Sequence, residues 1–134
     1  MKLPHILRYS DSAKGGKQKA FVITINPKYK NDKGLFAHEY EHLKQWYFLL
    51  VIIGLIVYGG LFYVHYVFSY FVAVPLVAHN LFYRFKPYRK WSEAKAFKAQ
   101  LKHYNGKHFD WAVSALVNDY NLNITRSEAE KLLR

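Results

Sequence analysis

His38-Glu39-Tyr40-Glu41-His42 spells H-E-x-x-H, a spacing with metal chemistry in it. Histidines four positions apart on a helix project from one face, one turn above each other, so both can reach a single zinc ion. Glu39 is then aimed beside the metal. There it can take a proton from a water whose acidity the metal has raised, and later pass it to a departing amine. Glu41 falls on a different helix face and reads as a solvated or supporting carboxylate.

A catalytic zinc takes three protein ligands and keeps a position open for water. The chain has no cysteine, which excludes disulfides, thiolate zinc sites and a cysteine nucleophile, and leaves the third ligand to a histidine or carboxylate. Glu93 follows a long apolar block. If that block is a hairpin, it returns the chain to the side it left and brings Glu93 level with His38 and His42. His79 is the runner-up, and His103 and His108 are downstream candidates. His65 would lie at the far turn, roughly 30 Å away if the hairpin crosses a bilayer. The plainer reading of Glu93 is a first-turn carboxylate favoured by the helix dipole.

The elements that must position these groups can be read in order. Residues 1–19 are polar, with a turn at Lys14-Gly15-Gly16-Lys17, and 20–26 (AFVITIN) is β-branched enough to form a strand that ends at Pro27. A helix over 34–47, capped by Asn31 or Asp32, carries the histidine motif. A hydrophobic hairpin over 46–83 follows, with a pause at Gly59-Gly60 or a turn near His65, and with Pro75 inside its second arm. Three short helices, 91–104, 109–120 and 126–134, close the chain, the last with a Thr125/Glu128 capping box. Ala94, Phe97 and Leu101, like Trp111, Ala115 and Leu116, recur at helical spacing and are expected to pack on the motif helix. The fold class expected is mainly α with a short N-terminal β element, as a single domain over 1–134.

Charge narrows the setting. The net charge is +11, yet no Lys, Arg, Asp or Glu occurs between Gln45 and Tyr83. Basic residues crowd both flanks of that block: Lys28, Lys30, Lys33 and Lys44 before it, Arg84, Lys86, Arg89 and Lys90 after it. This is a membrane profile, long enough for two passes of roughly 20 residues, with a shallow re-entrant hairpin or a greasy soluble core as alternatives. Basic flanks place both zinc-bearing segments on the cytoplasmic side, against anionic headgroups. The N-terminus lacks the apolar core of a signal peptide, and the Asn123-Ile124-Thr125 sequon is then irrelevant.

The order H-E-x-x-H, two hydrophobic helices, then a glutamate on a soluble helix resembles the gluzincin layout of the HtpX/Ste24 membrane peptidases. The segment Gly34-Leu35-Phe36-Ala37-His38-Glu39-Tyr40-Glu41-His42-Leu43-Lys44-Gln45-Trp46 is also similar to small, largely uncharacterised bacterial and phage proteins. The resemblance covers about 20–101 and implies zinc ligation by His38, His42 and Glu93, with Glu39 as base. Two departures stand out. Those peptidases often carry an E-x-E-A-D-like pattern, whereas Glu93-Ala94-Lys95-Ala96-Phe97 keeps only the first acid, and their additional N-terminal spans are missing.

The resulting expectation is a membrane-anchored zinc endopeptidase acting on a protein or peptide segment near the cytoplasmic membrane surface. Strand 20–26 would be an edge along which substrate pairs. Tyr104, His103 and His108 are candidate oxyanion stabilisers. The alternative is a non-enzymatic membrane accessory protein with a structural or degenerate zinc site. Nucleic-acid binding is disfavoured, because the aromatics concentrate in the charge-free block rather than between basic residues.

Overall fold

The computed structural model describes residues 2–64, 71–105 and 107–134. Among these, the chain is mainly helical with a small N-terminal sheet: β1 (Ile6–Tyr9), β2 (Gly16–Lys19), β3 (Val22–Ile25), then α1 (Lys33–Val64), α2 (Val74–Tyr83), α3 (Lys86–Leu101), α4 (Phe109–Asn118) and α5 (Arg126–Leu133).

The sheet order is β1-β3-β2, parallel between β1 and β3 and antiparallel between β2 and β3. The expected strand over 20–26 is therefore β3, but it lies in the centre. Both of its edges are paired, so the free edges belong to β1 and β2. Ile23 and Ile25 alternate onto one face, where they bury with Leu43 of α1 against Leu35, Phe36, Tyr40 and Tyr47. That apolar layer fixes the sheet against the motif-bearing turns of α1.

Asp32 starts α1 by accepting the Leu35 backbone N–H at 2.9 Å, satisfying an amide that the first turn leaves open. The helix expected over 34–47 does not stop there. It runs unbroken to Val64, through Gly59-Gly60, where a pause was expected. Each internal glycine costs about 1 kcal/mol relative to alanine. That is less than a helix end would forfeit among apolar residues that cannot satisfy freed backbone groups. His65, the other expected turn, lies outside the described residues.

In the second arm α2 has ten residues, with Pro75 in its first turn rather than its interior. Proline's missing N–H is harmless there, where no intrahelical acceptor exists for it. Contacts retreat along α1 as α2 advances: Tyr58 Oη donates to the Val72 carbonyl, Trp46 Nε1 to the Leu76 carbonyl, and the His42 ring lies 6.2 Å from that of His79. The two helices thus run back along each other.

α3 begins at Lys86, five residues before the expected helix. Glu93 accordingly sits two turns in, not in the first turn, so the helix dipole does not explain it. α3 packs on α1, while α4 and α5 pack on α3 and on each other. Their core is Phe97, Ala112, Val113, Ala115, Leu116, Leu122, Ala129 and Leu133. Of the three short helices expected to rest on the motif helix, α3 makes the extensive contact, and Trp111, half-exposed, sets its ring against Phe97 of α3. The Thr125/Glu128 capping box is formed.

Candidate metal centre

His38 and His42 are buried on one face of α1, and α3 lays Glu93, 1% exposed, across from them. His38 Nε2 lies 3.4 Å from Glu93 Oε2, His42 Nε2 lies 3.3 Å from Glu93 Oε1, and the two Nε2 atoms are 3.3 Å apart. A tetrahedral ion about 2.0–2.1 Å from each ligand sets its ligands roughly 3.3 Å apart. Three buried donors of the right types are thus close enough to hold one metal ion.

Their mutual approach makes the same point electrostatically. Burial works to raise the Glu93 carboxyl, but the His38 and His42 imidazoles beside it outweigh that and hold the group well below the usual carboxylate range. Glu93 is an anion at neutral pH. Its Oε2 faces His38 Nε2, and Oε1 accepts from the Tyr83 hydroxyl. Two imidazole nitrogens and a carboxylate converging in a buried space fit a cation.

Glu39 is also buried, facing a cavity of 370 Å³ that is lined in part by His38, His42, Glu93, Tyr83 and Tyr120. Its carboxylate faces the Gln18 backbone and rests on Gly16 of β2. The fold thus gathers His38, Glu39, His42 and Glu93 into one cavity, with β2 along its rim. Glu41 turns away and pairs with Lys44.

The other candidates stand outside the three-residue cluster. His79 lines the cavity but bonds through Nδ1 to the Tyr88 hydroxyl at 2.9 Å. His103 borders a different cavity, beside Leu7, Phe36 and Tyr40, and His108 borders a third, beside Tyr104 and Trp111. Tyr104 points at Asp32 and Gln100, away from the metal cavity. None of the three candidate oxyanion donors faces the site. Tyr83 and Tyr120, which do, were not singled out from sequence because isolated tyrosines carry no spacing signal.

Phe97, standing where the resembled pattern has an acid, packs its edge on the His38 ring at 4.7 Å. Support for the histidines comes from amides instead. Gln100 Oε1 lies 3.0 Å from His38 Nδ1, and Gln45 Oε1 lies 3.1 Å from His42 Nδ1, with Ser92 Oγ also 3.1 Å from that nitrogen.

Comparison with family models, curated proteins and solved structures gives no match to this chain. The residues themselves carry the assignment. Among the described residues, one helix, spanning Lys33–Gly60, is long and apolar enough to cross a membrane, a test that a soluble core helix or a signal sequence can also pass.

Proposed function

We propose that this chain is a membrane-anchored zinc peptidase of gluzincin type, with His38, His42 and Glu93 as metal ligands and Glu39 as general base. The observation that carries the reading is the convergence of both Nε2 atoms and the Glu93 carboxylate at 3.3–3.4 Å, with Glu39 beside them on an open cavity. Two nitrogens and one oxygen suit zinc, and three protein ligands leave room for a reactant.

A zinc ion bound there supplies Lewis acidity, which acidifies water and polarises a peptide carbonyl. Glu39 takes the proton from the attacking water and delivers it to the leaving amine. Of the two tyrosines that line the cavity, Tyr83 donates to Glu93 and Tyr120 is the remaining phenol. Burial, with the charges of Glu93 and Glu39, pushes the Tyr120 phenol up, so it keeps its proton and can donate to a developing oxyanion. The rim strand β2 has a free edge on which an extended substrate can add.

Membrane attachment is supported by surface rather than by length alone. Only 28% of the apolar window of α1 is buried, and Phe48, Val51, Leu55 and Ile56 are exposed together with Leu76, Leu81 and Phe85 beyond. So much exposed apolar surface calls for lipid or a partner. α2, with ten residues, rises about 15 Å, half the roughly 30 Å of a hydrocarbon core. The basic residues at Lys44 and Arg84 to Lys90 support a metal centre on the cytoplasmic face of the membrane. His42 is one helical turn from Trp46, where the charge-free block begins, so the substrate is a protein segment at the membrane surface.

The test is hydrolysis of an unstructured reporter peptide, displayed close to the surface of a vesicle holding the purified protein. Cleavage by wild type and its loss in Glu39→Gln with zinc retained supports the peptidase. Wild type that binds zinc and cleaves nothing favours a structural site in an accessory protein.

A further inference from the structure

An amide side chain is nearly symmetric in shape, so its orientation is set by what its far end meets. Gln45 is simple: its Nε2 donates to the Ser92 carbonyl at 3.2 Å, an acceptor only, so its Oε1 faces His42. Gln100 is anchored through a longer chain. Its Nε2 donates to the Tyr104 hydroxyl at 3.1 Å, and that hydroxyl in turn donates to Asp32, 2.7 Å from Oδ1 and 2.8 Å from Oδ2.

The direction of this chain follows from its last member. An ionised carboxylate only accepts. The single phenolic proton of Tyr104 is therefore committed to Asp32, and its oxygen can only accept from Gln100. Gln100 must turn its NH₂ toward Tyr104 and its oxygen toward His38, and an oxygen 3.0 Å from His38 Nδ1 requires a proton on that nitrogen. His38 Nε2, the atom facing Glu93 and His42, is left with a bare lone pair.

We propose, on the metal-binding reading above, that Asp32, through Tyr104 and Gln100, is the device that fixes His38 in the tautomer able to bind the metal through Nε2. Tyr104 and Asp32 are positioning residues that touch neither metal nor substrate. Two further features fit this role. Asp32 also caps α1, so the carboxylate that starts the motif helix sets the tautomer of its first ligand. Gly34 lets the phenol in: a Cβ there would lie 2.5 Å from Tyr104 Cε1.

Without the Tyr104 hydroxyl, Gln100 is free to flip. Its NH₂ would then face Nδ1, the ring would carry its proton on Nε2, and the ligand atom would be blocked. A carboxylate in place of the amide has no donor end, so it accepts from Nδ1–H whatever Tyr104 does.

Zinc affinity measured by chelator competition on wild type, Tyr104→Phe, Gln100→Glu and the double variant tests this. Tyr104→Phe is expected to bind about 10- to 100-fold more weakly than wild type. In the Gln100→Glu background the same change is expected to cost nothing. Wild-type affinity in Tyr104→Phe overturns the proposal, as does a loss that Gln100→Glu fails to cancel. If Tyr104→Phe loses its native circular dichroism, the imidazole ¹⁵N resonances of folded wild type decide: a proton on His38 Nδ1 is required, and one on Nε2 contradicts the proposal. A wild type that binds no zinc removes the metal reading and this proposal together. A wild type that binds while Tyr104→Phe changes nothing removes the proposal alone.

Discussion

Gly16 lies directly beneath Glu39: a Cβ at position 16 would sit 2.6 Å from Glu39 Oε1 and 2.7 Å from its Cγ. The strand beside the metal centre thus holds the proposed base in place by lacking a side chain. Gly16→Ala pushes the flexible Glu39 side chain aside rather than the backbone, so little stability should be lost. A displacement of about 1 Å at a reacting group can cost about 100-fold in rate. Hydrolysis should fall by about that factor in Gly16→Ala while zinc content stays at the wild-type value, as read by a peptide assay and metal analysis on one preparation.

Phe97 offers a different separation of effects. It is 2% exposed, joins the α3–α4–α5 core and touches the His38 ring. Phe97→Ala should cost about 3–5 kcal/mol of stability from the cavity it leaves, and should weaken zinc binding as the His38 ring loses its wall. Denaturant unfolding and chelator competition measure the two losses. Phe97→Leu should restore most of the stability.

The helix carrying H-E-x-x-H was legible because His38 and His42 share its inward face, and Glu93 because the apolar block had to bring the chain back. The ends of the helices were less legible. Gly59-Gly60 looks like punctuation, yet nothing in α1 requires a turn there, and Pro75 reads as an interior breaker although it opens α2. β1 and β2 escaped notice because four exposed residues and the polar GKQK carry no alternation of burial strong enough to register. The Gln100 support could not be read at all, since it joins residues 62 apart in sequence and belongs to no motif.

Acid should destabilise the metal-free protein through Glu93. Its folded carboxyl is held below its unfolded value of about 4.3. The unfolded chain therefore binds the proton first as pH drops, and the stability Glu93 contributes is present above that value and lost below it. Thermal unfolding of metal-free wild type between pH 7 and pH 3 should show a falling midpoint at the acid end. In Glu93→Gln this decline should be shallower, and an unchanged acid limb would remove Glu93 as its source.

The apolar belt of α1 can be tested without reference to catalysis. Leu55 is 71% exposed and Ile56 is 61% exposed. Replacing both by lysine should weaken flotation with anionic phospholipid vesicles and leave the α3–α4–α5 core unaffected. Unchanged flotation would show that these residues do not face lipid.

The most direct test of the metal centre is zinc content per chain in purified wild type, His42→Ala, Glu93→Gln and Glu39→Gln. One zinc per wild-type chain, lost with His42→Ala or Glu93→Gln and kept in Glu39→Gln, is the expected result. A metal-replete wild type without zinc, or one that keeps it after both ligand substitutions, would contradict a centre built from His38, His42 and Glu93.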